Sequence, residues 1–504
     1  MNHIPALNVT PALANQHVFL TGTTGFLGKA ILEKLLREVP DIGQVYVLVR
    51  AGKGLDAQSR YEQAVQGSSL FDRLRSDLGA GFDAFMASKI TVIDGEITEP
   101  CFGLAPEAFA RLASRLNLII NSAASVNFRE ALDQALSINT LCLKNIVALS
   151  KAAGSIPVMQ ISTCYVNGFN RGLMHEQLVT PASGLIPRRE DGSFEVQNLI
   201  ADFSEKIEHI YARYAPGHKR EHKLIQLGTK MARHYGWNDT YTLTKWMGEQ
   251  LLVQELNKQN LTILRPSIIE GSWQGPMPGW VEGVKVADAM IYAYAKGRVS
   301  VFPGDDKGII DVIPVDLVAN AALLASAQLM QEKNKFHIYQ CCSGSRNPIR
   351  LGDFIDLLQE ESQRSWEKLP KLFNKKPEHK FQTVTLQRFG LYMTALRTFT
   401  WLRTVTGRVL GSSKAGDLMR KTVTTSELAV IFGFYTAPKY RFESTQLELL
   451  QQRFSLQDQM TYNIKADCYD WATYLQQVHL PGLHKYALAD KKELPKVMAK
   501  NKAA

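Results

Sequence analysis

The sequence is poor in cysteine. Six occur in 504 residues (Cys101, Cys142, Cys164, Cys341, Cys342 and Cys468), and no two form a Cys-x-x-Cys pair. That argues against a zinc ribbon, a dithiol motif or a disulfide scaffold, and it suits a reducing, cytoplasmic setting. No apolar stretch reaches the ~18 residues that a membrane-spanning helix needs. Met1–Gln16 has no basic stretch leading into a long apolar run, so no signal peptide is expected. Internal repeats and low-complexity tracts are also missing. What is present is 45% hydrophobic and 21% charged residues, the balance of a globular protein with ample core. The length suggests two to four domains.

Acidic residues are in deficit, with 48 Asp+Glu against 58 Lys+Arg and a net charge of +10. The excess is local. From Arg364 to Lys421 thirteen Lys/Arg face three acids, which matches the excess of the whole chain. Such a field attracts phosphate on nucleic acid, anionic lipid or a phosphorylated cofactor. A solvated helical surface is the plain alternative.

The first half alternates between strand and helix patterns. His17–Thr21, Gln44–Arg50, Ile90–Asp94, Leu118–Asn121, Pro157–Ser162 and Leu261–Arg265 read as apolar strands. Lys29–Glu38, Glu107–Arg115, Ala131–Ala153, Ala201–His222 and Thr240–Asn257 read as helices. Ala51–Ser88 reads as a polar insertion. The alternation predicts an α/β, Rossmann-type, doubly wound parallel sheet over residues 1–350. Beyond residue 350 strand patterns become rare, and residues 351–504 read as a mainly helical domain. The lysine-rich tail Lys491–Ala504 reads as frayed.

Between the first strand and its helix lies Gly22-Thr-Thr-Gly-Phe-Leu-Gly28. Glycines there let the backbone turn tightly and approach a pyrophosphate, which the helix N-terminus attracts. About 20 residues on, a dinucleotide fold places the residue that reads the ribose. An acid there would accept from a 2′-hydroxyl. The sequence has Arg50 instead, whose guanidinium suits a 2′-phosphate, so NADPH is the expected cofactor. Lys53 is a candidate helper.

Tyr241 and Lys245 stand four apart, on one helix face. A nearby ammonium would lower the phenol pKa and make Tyr241 a proton donor to a reduced carbonyl. The fifth strand ends in Ser162-Thr163-Cys164-Tyr165, at the strand end where such sheets bind ligands. Thr163 can hydrogen-bond a substrate oxygen there.

Together these motifs resemble the extended short-chain dehydrogenase/reductase family over roughly residues 15–350. Asn121-Ser-Ala-Ala-Ser-Val-Asn-Phe128, Ile161-Ser-Thr-Cys-Tyr-Val-Asn-Gly168, Leu264-Arg-Pro-Ser-Ile268, Pro276-Met-Pro-Gly-Trp280, Asp311-Val-Ile-Pro-Val-Asp316 and Ser343-Gly-x-x-Asn-Pro348 resemble its fatty acyl-CoA reductase subfamily. So do Asp470-Trp471, Tyr474 and Lys485-Tyr486 near the end. The set is similar to the single-polypeptide, alcohol-forming enzymes of marine wax-ester-producing bacteria. The resemblance implies catalytic Thr163, Tyr241 and Lys245 and no metal. It implies cofactor contacts from Thr21, Gly22, Thr23, Thr24, Gly25, Phe26, Leu27, Gly28, Arg50, Glu96, Ile97, Ala123, Ala124, Asn139, Tyr241 and Lys245. Two positions depart from the family pattern. Asn121 stands where His is usual, and Glu96 where Asp is frequent.

The implied reaction is NADPH-dependent reduction of a long-chain acyl-CoA, through an aldehyde, to a primary fatty alcohol. Thr163 and Tyr241 would hold the oxyanion, Tyr241 would donate the proton, and Lys245 would tune Tyr241 and bind the nicotinamide ribose. Asn139 would order a relay water. Cys164 invites a covalent acyl-cysteine, but no histidine is placed beside it, and packing is the preferred reading. The basic segment has two candidate roles. It could hold the phosphates of coenzyme A, or residues 386–411 could lie on a membrane surface, mixing Leu, Phe, Met and Trp with Arg388, Arg397, Arg403 and Arg408. A core-plus-surface helix of the acyl-binding domain is preferred to either. No nucleic-acid module is recognisable. Rival functions are a reductase that stops at aldehyde, a sugar-nucleotide epimerase or dehydratase, and an idle cofactor-binding scaffold.

Overall fold

The computed structural model describes residues 6–52, 54–283, 286–296, 301–378, 381–409 and 432–488. Seven short strands form one parallel sheet: β1 (His17–Thr21), β2 (Gln44–Val49), β3 (Ile90–Asp94), β4 (Leu118–Asn121), β5 (Val158–Ile161), β6 (Leu261–Pro266) and β7 (Phe336–Cys341). Their order is β7-β6-β5-β4-β1-β2-β3. Every residue of β4, β5 and β6 is buried, as expected of parallel strands covered on both faces, and the few polar ones among them, Asn121, Gln160, Thr262 and Arg265, are buried with the rest. Val18 pairs with Val45 on one side and Leu118 on the other. The order reverses there, so the C-terminal ends of β1 and β4 open the crevice in which such sheets bind ligands. The edge strand β7 has no counterpart among the expected strands.

The helices that matter for the site are α1 (Phe26–Glu38), α2 (Leu143–Ala152), α3 (Gln197–Arg213), α4 (His218–Tyr235), α5 (Thr240–Glu255) and α6 (Val315–Gln331). Ile31, Leu32, Leu35 and Leu36 of α1 are fully buried, as their spacing predicts. Two expected helices differ. Ala131–Ala153 is broken into Leu132–Leu136, a π-turn at Ser137–Leu141, and α2. Ala201–His222 falls on two helices, α3 and α4, parted at Pro216-Gly217. Gly217 has φ +139°, and the ring of Pro216 disfavours helix at the residue before it.

The chain divides into two compact units that alternate along the sequence. The first comprises Met1–Trp280, Val312–Arg346 and Phe442–Cys468, and holds the sheet. Its core sandwiches Phe19, Ile119, Ile146, Leu243, Trp246 and Ile263. Trp237 and Trp246 pack 4.8 Å apart, with their indole N–H groups on the carbonyls of Val166 and Val179.

The second unit comprises Val281–Asp311, Asn347–Arg441 and Tyr469–Ala504. Its described part is mainly helical: Val286–Ala295, α7 (Leu351–Ser365) and α8 (Leu386–Val409). Strands Val301–Pro303 and Gln382–Val384 pair in parallel. Asn347 and Trp471, from two separate family-like motifs, meet here. Asn347 Nδ2 donates to the Tyr469 carbonyl at 2.8 Å, and Trp471 Nε1 donates to the Asn347 carbonyl at 3.0 Å. Lys53, the tail Lys491–Ala504, and much of the basic stretch after Val409 lie outside the described residues.

Candidate active site

The turn after β1 is built for close backbone approach. Gly22 has φ +75°, and a Cβ there would lie 2.7 Å from the Ser122 carbonyl carbon. A Cβ on Gly28 would lie 2.3 Å from the Gly22 oxygen. The turn therefore folds onto its own helix and onto the end of β4, and only glycine fits either place. Gly25 starts α1, with no side-chain cap and no acid in the first turn. Helix N–H groups so left are an anion site. Thr23 is fully buried, and its hydroxyl has no hydrogen-bond partner among the described residues. Thr24 and Phe26 are partly exposed, and Phe26 stacks on Trp280 at 5.0 Å. Leu27 is buried beneath the turn. These residues fit the pyrophosphate of a dinucleotide.

Asn121 bridges three strand ends. Its Oδ1 accepts the Thr21 hydroxyl at 2.5 Å, and its Nδ2 donates to Gln160 Oε1 at 2.8 Å. Thr21 Oγ1 in turn accepts the N–H of Ala123 at 3.1 Å. The amide thus ties β1, β4 and β5 together under the crevice, with Ala123 and Ala124 partly exposed at its rim.

At the end of β2, Arg50 is exposed, and its Nη1 pairs with Glu96 Oε2 at 2.9 Å. A second cation stands beside it: Arg60 Nη1 donates to the Arg50 carbonyl at 2.8 Å. Sequence reasoning missed Arg60, because no spacing rule carries a residue of an insertion back to a strand end. Ile97 is buried, and its carbonyl accepts Asn145 Nδ2 at 2.9 Å.

Thr163, Tyr241 and Lys245 converge. Asp239 caps α5 by accepting the N–H of Thr242 at 2.9 Å, which fixes where the helix begins. The Thr163 hydroxyl stands close enough to the Tyr241 phenol to favour its ionised form. Phe128 meets the Tyr241 ring edge-on at 5.6 Å. Lys245 is buried, and its Nζ donates to the Ile161 carbonyl at 2.7 Å. Burial lowers the Lys245 pKa to about 8, while Cys142 and Glu249 oppose the fall. The i,i+4 spacing predicts a lowered tyrosine, but the geometry does the reverse. Burial pushes the Tyr241 phenol up, and the Asp239 carboxylate adds to the rise. The Thr163 hydroxyl opposes both.

Asn139 sits in the π-turn that the sequence hides. Its Oδ1 accepts the N–H of Ser125 at 2.9 Å, and its Nδ2 donates to the Ser125 carbonyl and to Thr244 Oγ1, both at 3.1 Å. The π-turn lets α5 come close: a Cβ on Gly248 would lie 2.4 Å from the Asn139 carbonyl oxygen. Cys164 is fully buried, and its thiol donates to the Arg265 carbonyl at 2.9 Å. Two further charged groups went unnoticed as a pair, Glu249 of α5 and Arg265 of β6. Glu249 follows Lys245 by four residues, which was the available signal.

A family model described as "Male sterility protein" matches residues 20–322, and a second of the same description matches residues 396–490. "Fatty acyl-CoA reductase 2, chloroplastic" of Arabidopsis thaliana is 30% identical, covering 96% of this chain and 80% of its own length. "Alcohol-forming fatty acyl-CoA reductase" of Simmondsia chinensis is 30% identical, over 94% of this chain and 98% of its own. Among solved structures, the terminal R domain from the myxalamid PKS-NRPS biosynthetic pathway matches with TM-score 0.54 at 18% identity. It covers 93% of this chain and 90% of that one, a likeness of fold. The chain therefore belongs to the fatty acyl-CoA reductase family, oxidoreductases on an extended short-chain dehydrogenase/reductase fold.

Proposed function

We propose that the chain reduces long-chain acyl-CoA to a primary fatty alcohol with two equivalents of NADPH, releasing coenzyme A. The observation that carries this reading is the meeting of Thr163, Tyr241 and Lys245 at the C-terminal end of β5, in a fold whose glycine turn opens the crevice. A bound reduced nicotinamide supplies hydride. The chain's own residues do the rest. Thr163 and Tyr241, whose hydroxyls face one site, hold the oxygen on which charge develops. A phenol held in its neutral form by burial is a competent donor to that oxygen. Lys245 supplies a buried positive charge beside the ribose site. Arg50 and Arg60 supply two guanidinium groups for a 2′-phosphate, which favours NADPH over NADH.

Cys164 serves packing. A fully buried thiol bonded to a backbone carbonyl is poorly placed for attack, and Cys164→Ser is expected to retain thioester reduction.

The catalytic part lies within residues 1–350, and residues 351–504 supply binding for the acyl chain and coenzyme A. The second unit offers an apolar pocket lined by Ile291, Phe354, Ile355, Leu358 and Phe373. Helix α8 exposes Leu386, Leu391, Tyr392 and Trp401 beside the exposed Arg388, a pattern suited to peripheral contact with an anionic membrane. No helix among the described residues is long and apolar enough to cross a membrane. Flotation with anionic liposomes at low salt tests the contact, and absence of binding removes it.

The deciding test is stoichiometry with palmitoyl-coenzyme A. Two NADPH oxidised per thiol released, with fatty alcohol as product, supports the four-electron reading. One NADPH per thiol with aldehyde replaces it with a two-electron reductase.

A further inference from the structure

Helix α5 carries Tyr241, Lys245 and Glu249 at successive i,i+4 positions, so the three share one face. Glu249 is 1% exposed, and Arg265, from β6, is 0% exposed. They meet in a bidentate contact: Arg265 Nε to Oε1 at 2.9 Å and Nη2 to Oε2 at 2.6 Å. The third nitrogen, Nη1, donates to the Gln177 carbonyl at 2.9 Å. The backbone of the same strand end faces the other half of the catalytic set. The Arg265 carbonyl accepts the Cys164 thiol at 2.9 Å, and the Pro266 carbonyl accepts the Thr163 hydroxyl at 3.4 Å. Two adjacent residues of β6 thus touch the strand end with Thr163 through their backbone and the helix with Tyr241 and Lys245 through one side chain.

We infer that Arg265 and Glu249 are a positioning pair for the reduction, holding α5 at the height on β6 that brings Tyr241 to Thr163. The inference rests on the catalytic assignment above. A buried ion pair is poor evidence for stability, because well-packed apolar residues of similar volume often do as well. What apolar residues lack is direction. A two-pronged contact allows one height and one rotation of the helix, whereas apolar packing tolerates small slides. Proton transfer needs heavy atoms within roughly 2.6–3.2 Å, and a misplacement of about 1 Å costs about 100-fold in rate. The Glu249 charge has a second effect: it favours the ammonium form of Lys245 against the opposing effect of burial.

The test separates position from stability. In the double variant Glu249→Leu/Arg265→Met both charges are replaced by apolar groups. It is expected to melt within a few degrees of the wild type and to bind NADPH, read by nicotinamide fluorescence, no more than a few-fold more weakly, that loss following from the weakened charge on Lys245. Its single-turnover rate should fall about 10- to 100-fold. A double variant that melts and turns over like the wild type overturns the inference. Should the double variant not fold, Arg265→Lys keeps the charge but not the two-pronged geometry. It is expected to lower kcat with little change in KM and to move the alkaline limb of the pH profile. A rate loss no larger than its unfolded fraction, with the limb unmoved, also overturns the inference. Tyr241→Phe distinguishes the two levels. If it is as active as the wild type, the catalytic assignment itself fails. If it is inactive while the double variant is fully active, only the positioning role fails.

Discussion

The buried ammonium of Lys245 donates a 2.7 Å hydrogen bond to the carbonyl oxygen of Ile161, the last residue of β5 and two residues before Thr163. The bond anchors the charge at the strand end without consuming the other two donors of the ammonium. Burial holds the pKa at about 8, so the charge is lost as pH rises through that value. The rate of NADPH oxidation is expected to be level up to about pH 7.5 and to fall above about pH 8. Lys245→Met should be slower by about 100-fold or more and should lack that limb. A limb near 8 that persists in Lys245→Met would assign it to another group.

The two guanidinium groups at the end of β2 should separate the cofactors. If the proposed cofactor assignment holds, Arg50→Ala and Arg60→Ala are each expected to weaken NADPH binding about 10-fold or more and to leave NADH nearly unaffected, since each would remove a charge-assisted contact to a bound 2′-phosphate. Glu96→Gln frees Arg50 from its partner and should tighten NADPH. Fluorescence titration with both nucleotides checks this. Equal losses for both would place the arginines elsewhere in the binding process.

Gly28→Ala forces a methyl within 2.3 Å of the Gly22 oxygen, a backbone atom with little room to move. The β1–α1 turn must open, and with it the phosphate cradle. The expected outcome is loss of measurable cofactor binding, with the melting temperature lowered by several degrees. Isothermal titration with NADPH reads the first effect and thermal melting the second.

Glu176 carries a pH signature of its own. Its carboxylate accepts the N–H groups of Gln340 at 2.8 Å and Leu447 at 3.3 Å, and that of Gln446, at the start of the helix Thr445–Gln452. Burial nevertheless raises its pKa to about 7, and Glu443 adds to the rise. A folded-state value above the unfolded one means that stability is fully present below about pH 4.5 and is lost as pH climbs through 7. The loss is on the order of 3 kcal/mol. Glu176→Gln should remove this dependence. Denaturant midpoints of both forms at about pH 5 and pH 8.5 give the difference, which should move against the wild type as pH rises.

Much of the catalytic half was legible because local rules suffice there. Val18–Leu20 must be a buried strand, Gly22 to Gly28 can only be a tight turn, and Tyr241 and Lys245 share a helix face by spacing alone. The misses have two causes, contacts distant in sequence and one local break that the helical pattern masked. The π-turn around Asn139 depends on how closely α5 packs at Gly248, and the break at Gly217 turns on a single glycine after a proline. Arg60 reaches Arg50 across an insertion.

By itself the sequence determined the dinucleotide half and its glycine turn, and it singled out Arg50 and Tyr241 as the proposed ribose reader and proton donor. Those follow from periodicity and from residues with unusual backbone freedom. Only the tertiary structure decided that burial raises Tyr241 rather than its lysine lowering it, that Asn121 ties three strands, and that Glu249 and Arg265 meet between α5 and β6. Each of those is set by how far a group sits from water and from partners distant in sequence, and desolvation is a property of the packed interior that no local pattern carries.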